Sequence, residues 1–118
     1  MNGFTDCPIG FEDGSILKYE VESNQALLWY QFWNDRIAEF KFTGFVGLQD
    51  SGAVGVTVGK AQVAADSQLI NLLLKRLYTK PPAETPWKEF RVLDTDGEVM
   101  FQVVAEACTL ISLSGERP

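Results

Sequence analysis

The side chains of this sequence best suited to act as an acid–base pair are carboxylates that lie in turns. Glu12 and Asp13 adjoin Gly14, and Asp35 follows Asn34 in a second turn-like stretch. Two carboxylates held at a suitable separation can act as acid and base in glycoside hydrolysis. The turn signals around these residues favour exposed acids rather than a converging pair. We therefore predict that the chain is not an enzyme, and a carboxylate hydrolase is the third of three hypotheses.

Other chemistry is limited by the absence of histidine from the 118 residues. Histidine is the commonest general base near neutral pH and a frequent metal ligand, so Ser-His-Asp catalysis and histidine-rich metal sites are excluded. Cys7 and Cys108 are too far apart in sequence to form a metal-binding motif. Residues 55–60 are one residue short of a phosphate-binding loop, and residues 94–97 fit a hairpin turn better than a calcium loop. No cofactor and no metal are expected.

The net charge of −6 is unevenly divided along the chain. Residues 1–59 hold three bases and eight acids, whereas residues 60–118 hold seven bases and eight acids. Nucleic acids and anionic membranes are poor partners for such a chain, and a basic protein is a better one. The N-terminal residues lack the features of a signal peptide, and the longest apolar runs are far too short to span a bilayer. We expect a cytoplasmic protein.

Apolar and polar residues alternate along most of the chain, which predicts strands. Leu17, Tyr19 and Val21, for example, alternate with charged residues. The strands are predicted at residues 15–22, 26–33, 37–45, 54–58 and 87–94, with a long last strand from 99 to about 113. A helix is predicted after the capping residue Asp66, with Leu69, Ile70, Leu73 and Leu77 along one side.

These elements predict an α+β protein in the order ββββαββ. Most connections are of hairpin length, which favours a mainly antiparallel, curved sheet of about six strands packed against one helix. We expect a single domain over residues 1–118, with an N-terminal segment at 1–10 and a frayed tail at 114–118.

Three stretches of the sequence carry a family resemblance. They are Phe11–Ile16 at the first strand, the tryptophan-rich strand-turn-strand around Trp33, and Phe90–Gly97 before the last strand. In this layout, residues 11–107 resemble small bacterial immunity-type proteins, the antidotes to polymorphic or contact-dependent growth-inhibition toxins. Related proteins often carry an aromatic residue or histidine where Glu12 stands. The resemblance implies a cytoplasmic protein that blocks the active site of one cognate toxin domain, and it brings no catalytic residues.

The leading hypothesis is therefore a non-enzymatic inhibitor that neutralises a toxin domain through an acidic surface. A nuclease toxin would suit such a surface, because its substrate-binding surface is basic. The candidate toxin-binding residues are Glu12, Asp13, Glu20, Glu22, Trp33 and Asp35. The chain itself is expected to be a monomer or a small homo-oligomer.

The alternative hypothesis is a domain that binds a small ligand in an aromatic-lined cavity. Half of the fourteen aromatic residues fall within one short stretch: Trp29, Tyr30, Phe32, Trp33, Phe40, Phe42 and Phe45. These side chains form either the hydrophobic core or the lining of a cavity. A closed apolar cavity would favour the ligand-binding domain, and a solvent-facing acidic patch would favour the inhibitor.

Overall fold

The computed structural model describes residues 3–80 and 85–114, which contain eight strands and one helix. The elements are β1 (Ser15–Val21), β2 (Gln25–Gln31), β3 (Ile37–Thr43), β4 (Gly47–Asp50), β5 (Val58–Ala64), α1 (Gln68–Leu77), β6 (Lys88–Asp94), β7 (Val99–Ala105) and β8 (Ala107–Ser114). The strands form two antiparallel sheets. The first sheet has the order β1-β2-β3-β8, and the second has the order β4-β7-β6-β5. The predicted α+β class with antiparallel strands is confirmed.

The prediction of one sheet with about six strands is wrong, for two local reasons. Only Val58 of the predicted fourth strand at 54–58 belongs to a strand, because Gly55 has a φ of +82° that a strand does not adopt. Strands β4 and β5 lie on either side of it. The predicted long last strand bends at Glu106, whose N–H donates to Thr43 O at 3.0 Å. As a result β7 belongs to the second sheet and β8 to the first.

The same bend connects the two sheets. β3 pairs with β8, and β4, which follows β3, pairs with β7. Gly44 has a φ of +61° between β3 and β4, opposite the bend at Glu106. One long bent pair of strands therefore passes from the first sheet into the second, so the inner faces of both sheets enclose the same core.

Aromatic side chains fill the space between the sheets. Phe40 and Phe42 from β3 and Phe90 from β6 are almost fully buried there. Phe4, from the N-terminal segment, is 1% exposed, and its ring centroid lies 5.5 Å from that of Phe40 and 5.8 Å from that of Phe90. The N–H of Gly3 donates to Cys108 O at 2.9 Å and holds this segment beside β8. Residues 3–10 thus contribute to the core without forming a helix or strand.

Strand β1 departs from the predicted alternation because it contains a β-bulge. The register with β2 shifts between Ile16 and Lys18, so Ile16 is fully buried whereas Leu17 is 38% exposed. An extra residue in one strand moves its side chain off the expected face. Tyr19 is half-buried on the inner face, and its ring centroid lies 5.2 Å from that of Phe101 in the second sheet.

Helix α1 packs on the outer face of the second sheet, beside β6. Ile70 is 3% exposed, and Leu73 lies against Gly47, where an added Cβ would come within 3.1 Å of Leu73 Cδ1. The prediction that Asp66 is the N-cap of this helix is wrong, and the N-cap is the next residue. Ser67 has the extended backbone of a helix N-cap, and its hydroxyl accepts from Ile70 N at 3.1 Å. Within residues 3–80 and 85–114, no helix is long and apolar enough to cross a membrane.

The predicted frayed tail begins inside β8. Ser114 pairs with Ile37, and its hydroxyl donates to Ile37 O at 3.3 Å. The other residues of that predicted tail, 115–118, lie outside the described residues.

A hydrogen bond between Tyr19 and Asp50 links the two sheets at 2.8 Å. Asp50 also accepts from Gly52 N at 3.0 Å and from Ala53 N at 2.8 Å. Partial burial acts to raise the pKa of Asp50, but the bonds from Ala53, Tyr19 and Gly52 outweigh it and hold that pKa below its usual value. The bond to Asp50, then burial and the charge of Asp50, raise the pKa of Tyr19.

We expect this link to make stability depend on pH on the acid side. The pKa of Asp50 is lower in the folded state, so its contribution is present above about pH 4 and is lost as the pH falls through the folded-state pKa. Asp50→Asn should reduce the loss of stability between pH 5 and pH 2 by about 1 kcal/mol, because both side chains are partly solvated. Thermal unfolding followed by circular dichroism across that range measures it.

The matched control is Asp66→Asn, which removes an exposed carboxylate. Its loss of stability between pH 5 and pH 2 should be close to that of the wild type. If Asp50→Asn also lost as much stability as the wild type over this range, the role assigned to the Tyr19–Asp50 hydrogen bond would be contradicted.

Candidate functional site

All six candidate toxin-binding residues have exposed side chains, but the fold separates them into two groups. Glu12, Asp13, Trp33 and Asp35 lie at the end of the first sheet where β1 begins and β2 ends. Glu20 and Glu22 lie toward the opposite end of β1, about 20 Å away along the strand. We take the first group as the starting point of the candidate site.

The turn before β1 presents Glu12 and Asp13 to solvent. Asp13 has a φ of +65°, and Gly14 N donates to Phe11 O at 3.3 Å, which is typical of a type II turn. Gly14 must be glycine, because an added Cβ would lie 2.4 Å from Gln31 O. The hydroxyl of Tyr30 donates to Phe11 O and holds the turn from below. Burial, followed by the charge of Asp13, raises the pKa of Tyr30.

The β2–β3 turn presents Trp33 and Asp35. Phe32 N donates to Arg36 O at 2.8 Å, and Asp35 N donates to Phe32 O at 3.0 Å. Asp35 has a φ of +66°, so this is a three-residue hairpin loop with a left-handed third residue. Trp33 is 66% exposed, the highest value among the exposed large hydrophobic residues in the described part of the chain. The loop therefore displays an aromatic ring and a carboxylate side by side.

The β6–β7 turn repeats this loop with glycine in the left-handed position. Asp94 N donates to Glu98 O at 2.9 Å, Gly97 N donates to Asp94 O at 3.1 Å, and the φ of Gly97 is +85°. The carboxylate of Asp94 accepts from Asp96 N at 2.9 Å and from Glu98 N at 3.0 Å. The carboxylate of Asp94 is thus bonded within the turn, whereas the side chains of Asp96 and Glu98 are exposed.

Strand β5 brings the β6–β7 turn beside the turn before β1. Val58 N donates to Gly14 O at 2.9 Å, and Val58 O accepts from Asp13 N at 3.0 Å. On its other side, Val58 pairs with Asp94. Asp13 and Asp94 thus flank one strand, about 10 Å apart. Sequence reasoning identified the Asp94–Gly97 turn, but only the pairing of β5 with both neighbours shows that its acids join those at 12 and 13.

We call this surface the acidic end. It consists of Glu12, Asp13, Trp33, Asp35, Asp96 and Glu98. Among residues 3–80 and 85–114, two cations lie near it: Arg36, at the base of the β2–β3 turn, and Lys60, two residues beyond Val58. Five exposed carboxylates outnumber these cations, so the acidic end has a negative potential that attracts basic surfaces.

A second group of polar residues lies under the start of helix α1. Glu89 is 1% exposed, although it carries a carboxylate. Its Oε2 lies 2.7 Å from Arg91 Nε, and its Oε1 accepts from Gln102 Nε2 at 3.1 Å. A shallow cleft of about 330 Å³ opens beside it, lined by Ser67, Gln68, Glu89, Arg91, Val99 and Gln102. Because Glu89 is already bonded to Arg91 and Gln102 of the same sheet, we interpret this group as structural.

Both cysteines are free thiols that contact the core. Burial, with a smaller effect from Cys7, raises the pKa of the Cys108 thiol. A protonated, buried thiol is a poor nucleophile. In the described part of the chain, no three His, Cys, Asp or Glu side chains converge as a metal site would require.

Searches against models of known protein families, against curated proteins and against solved structures find no match to this chain. The function is therefore argued from the acidic end itself.

Proposed function

We propose that this chain is a non-enzymatic protein of the immunity type, which binds and neutralises a basic toxin domain in the bacterial cytoplasm. The observation that carries this proposal is the acidic end, where three turns from distant parts of the sequence present five exposed carboxylates and one exposed tryptophan. A nuclease domain is the favoured partner, because a surface that binds nucleic acid is rich in lysine and arginine.

Charge and aromatic residues have different roles in this binding surface. Exposed carboxylates accelerate the encounter with a basic partner and contribute less to the lifetime of the complex. Trp33 supplies a large ring that a partner can bury, as tryptophans do at the energetic centres of interfaces. Both hairpin loops are fixed by backbone hydrogen bonds, so little ordering is needed when the partner binds.

The packing of the aromatic residues favours this proposal over a small-ligand cavity. Tyr30, Phe32, Phe40 and Phe42 are each no more than 2% exposed. Neighbouring rings are in contact, with centroids 5.1 Å apart for Tyr30 and Phe32 and 5.2 Å apart for Phe42 and Phe90. Rings at this spacing fill the volume between the sheets, as a hydrophobic core does.

The test is co-expression and pull-down with the product of the adjacent gene, followed by kinetics of the purified pair. We expect a complex that forms at micromolar concentration and associates more slowly as salt rises, since exposed charges are screened over about 10 Å at 0.1 M salt. The combined variant Glu12→Gln, Asp13→Asn and Asp35→Asn should slow association about tenfold at low salt. Asparagine is chosen at 13 and 35 because it tolerates positive φ.

The matched control removes the same charge elsewhere. Glu22, Asp66 and Glu106 are exposed acids away from the acidic end, and Glu22→Gln, Asp66→Asn and Glu106→Gln together should change association less than twofold. Trp33→Ala should instead speed dissociation at least tenfold, as loss of a hot-spot side chain does.

Absence of a complex at micromolar concentration, or a neighbouring product that is not a toxin, would contradict the proposal. Equal effects of the two triple variants would show that net charge matters but the acidic end does not. A reproducible hydrolase activity lost on Asp13→Asn or Asp35→Asn would support the carboxylate hydrolase instead.

A further inference from the structure

The outer face of the first sheet is not covered by any helix or strand of the described residues. Helix α1 packs beside β6 of the second sheet, and within residues 3–80 and 85–114 no helix or strand lies across the outer side of β1, β2 and β3. Trp29 and Leu27 of β2 are half-buried in the middle of this face. Their exposed parts give this face an apolar centre.

The charges around these two side chains alternate in sign. Lys18, Trp29 and Glu39 form one row across β1, β2 and β3, and Glu20, Leu27 and Lys41 form the next row. The Lys18 ammonium lies 4.4 Å from the centroid of the Trp29 ring, and Trp29 Nε1 donates to Glu39 Oε1 at 3.2 Å. Each row therefore has one basic and one acidic end, and the order is reversed from one row to the next.

This arrangement is complementary to itself. If a second copy is placed face to face about a two-fold axis parallel to β2, Lys18 meets Glu39 of the second copy, and Glu20 meets Lys41. If the axis runs across the strands, Lys18 meets Glu20 of the second copy instead, and Glu39 meets Lys41. Both arrangements place opposite charges together and stack the apolar centres. A foreign partner would need the same alternating pattern, which a second copy has by symmetry.

We infer that the outer face of the first sheet is a homodimer interface, with its centre at Trp29 and Leu27. The three strands β1, β2 and β3, about 4.8 Å apart and each about 20 Å long, give a face of roughly 300 Å². A standard interface buries about 800 Å² per partner, so the dimer is weak and dissociates in the micromolar range. The interface does not include the acidic end, and the inference does not depend on the proposed function.

The test is sedimentation equilibrium of the purified chain from 1 to 200 µM at low salt. We expect reversible dimerisation, weakened at least tenfold by Lys18→Glu and by Glu39→Lys, because each variant brings like charges together in the homodimer. Lys75→Glu, on the exposed side of the helix, is the matched control and should leave dimerisation unchanged. Melting temperatures establish that each variant is folded.

Mixing the variants identifies the axis. An equimolar mixture of Lys18→Glu with Glu39→Lys should restore association to within about threefold of the wild type if the axis is parallel to β2. Lys18→Glu with Glu20→Lys should do so if the axis runs across the strands. A wild-type chain that is monomeric at 200 µM, a dimer that neither charge change weakens, or failure of both mixtures would overturn the inference.

Discussion

Replacing Phe4 with alanine is expected to lower the free energy of unfolding by about 3–5 kcal/mol, the range for a buried phenylalanine. The ring is 1% exposed and contacts aromatic residues of both sheets, so its removal leaves a cavity that neither sheet can fill alone. Domains of this size are stable by only about 5–15 kcal/mol. Phe4→Ala should therefore shift the urea midpoint strongly, as measured by tryptophan fluorescence.

Trp33→Ala is the matched control, because it removes a larger ring from a site that is 66% exposed. It should change the free energy of unfolding by no more than about 0.5 kcal/mol. If Phe4→Ala were equally mild, the N-terminal segment would have to be peripheral to the core, contrary to its contacts with Phe40 and Phe90.

Replacing Glu89 with alanine is expected to lower the free energy of unfolding by about 3–5 kcal/mol, although the substitution removes a buried charge. The loss leaves Arg91 without its counter-charge and the amide of Gln102 without its acceptor beneath helix α1. Glu89→Gln keeps an oxygen that can accept from Gln102, so its cost should be smaller, about 1–2 kcal/mol. Urea unfolding of both variants measures the difference.

A double variant separates the ion pair from its surroundings. Glu89→Met together with Arg91→Met removes both charges and keeps apolar volume, and it should be more stable than Glu89→Met alone. If the two substitutions simply added, Arg91 and Glu89 would be energetically independent, and the structural role assigned to their contact would be wrong.

The positions of the first three strands could be predicted from the sequence, because a strand is recognised from residues that are close together in the chain. β1, β2 and β3 are found close to their predicted bounds, although the bulge in β1 interrupts the alternation of apolar and polar residues there. The division into two sheets could not be predicted this way. It depends on the bend at Glu106, where a regular alternation continues through a change of partner from β6 to β3.

The candidate site was also predicted only in part: its turns could be identified from the sequence, but their proximity could not. Glu12, Asp13 and Asp35 were predicted to lie in exposed turns, and they do. Their proximity to the acids of the β6–β7 turn was not predicted, because it depends on Val58 pairing with residues about 35–45 positions away on either side. Short-range signals identify the turns, whereas long-range pairing decides which turns meet.

The position of β8 has a consequence for synthesis of the chain. β8 pairs with β3, about 70 residues earlier in the sequence. At about 5–20 residues per second, a ribosome needs on the order of 4–14 s to make that interval. During this time β3 has no partner along the edge that later pairs with β8. The N-terminal segment that carries Phe4 also lacks its hydrogen bond to β8. The nascent chain is therefore exposed to aggregation through that edge, and chaperone capacity should influence how much folded protein a cell obtains.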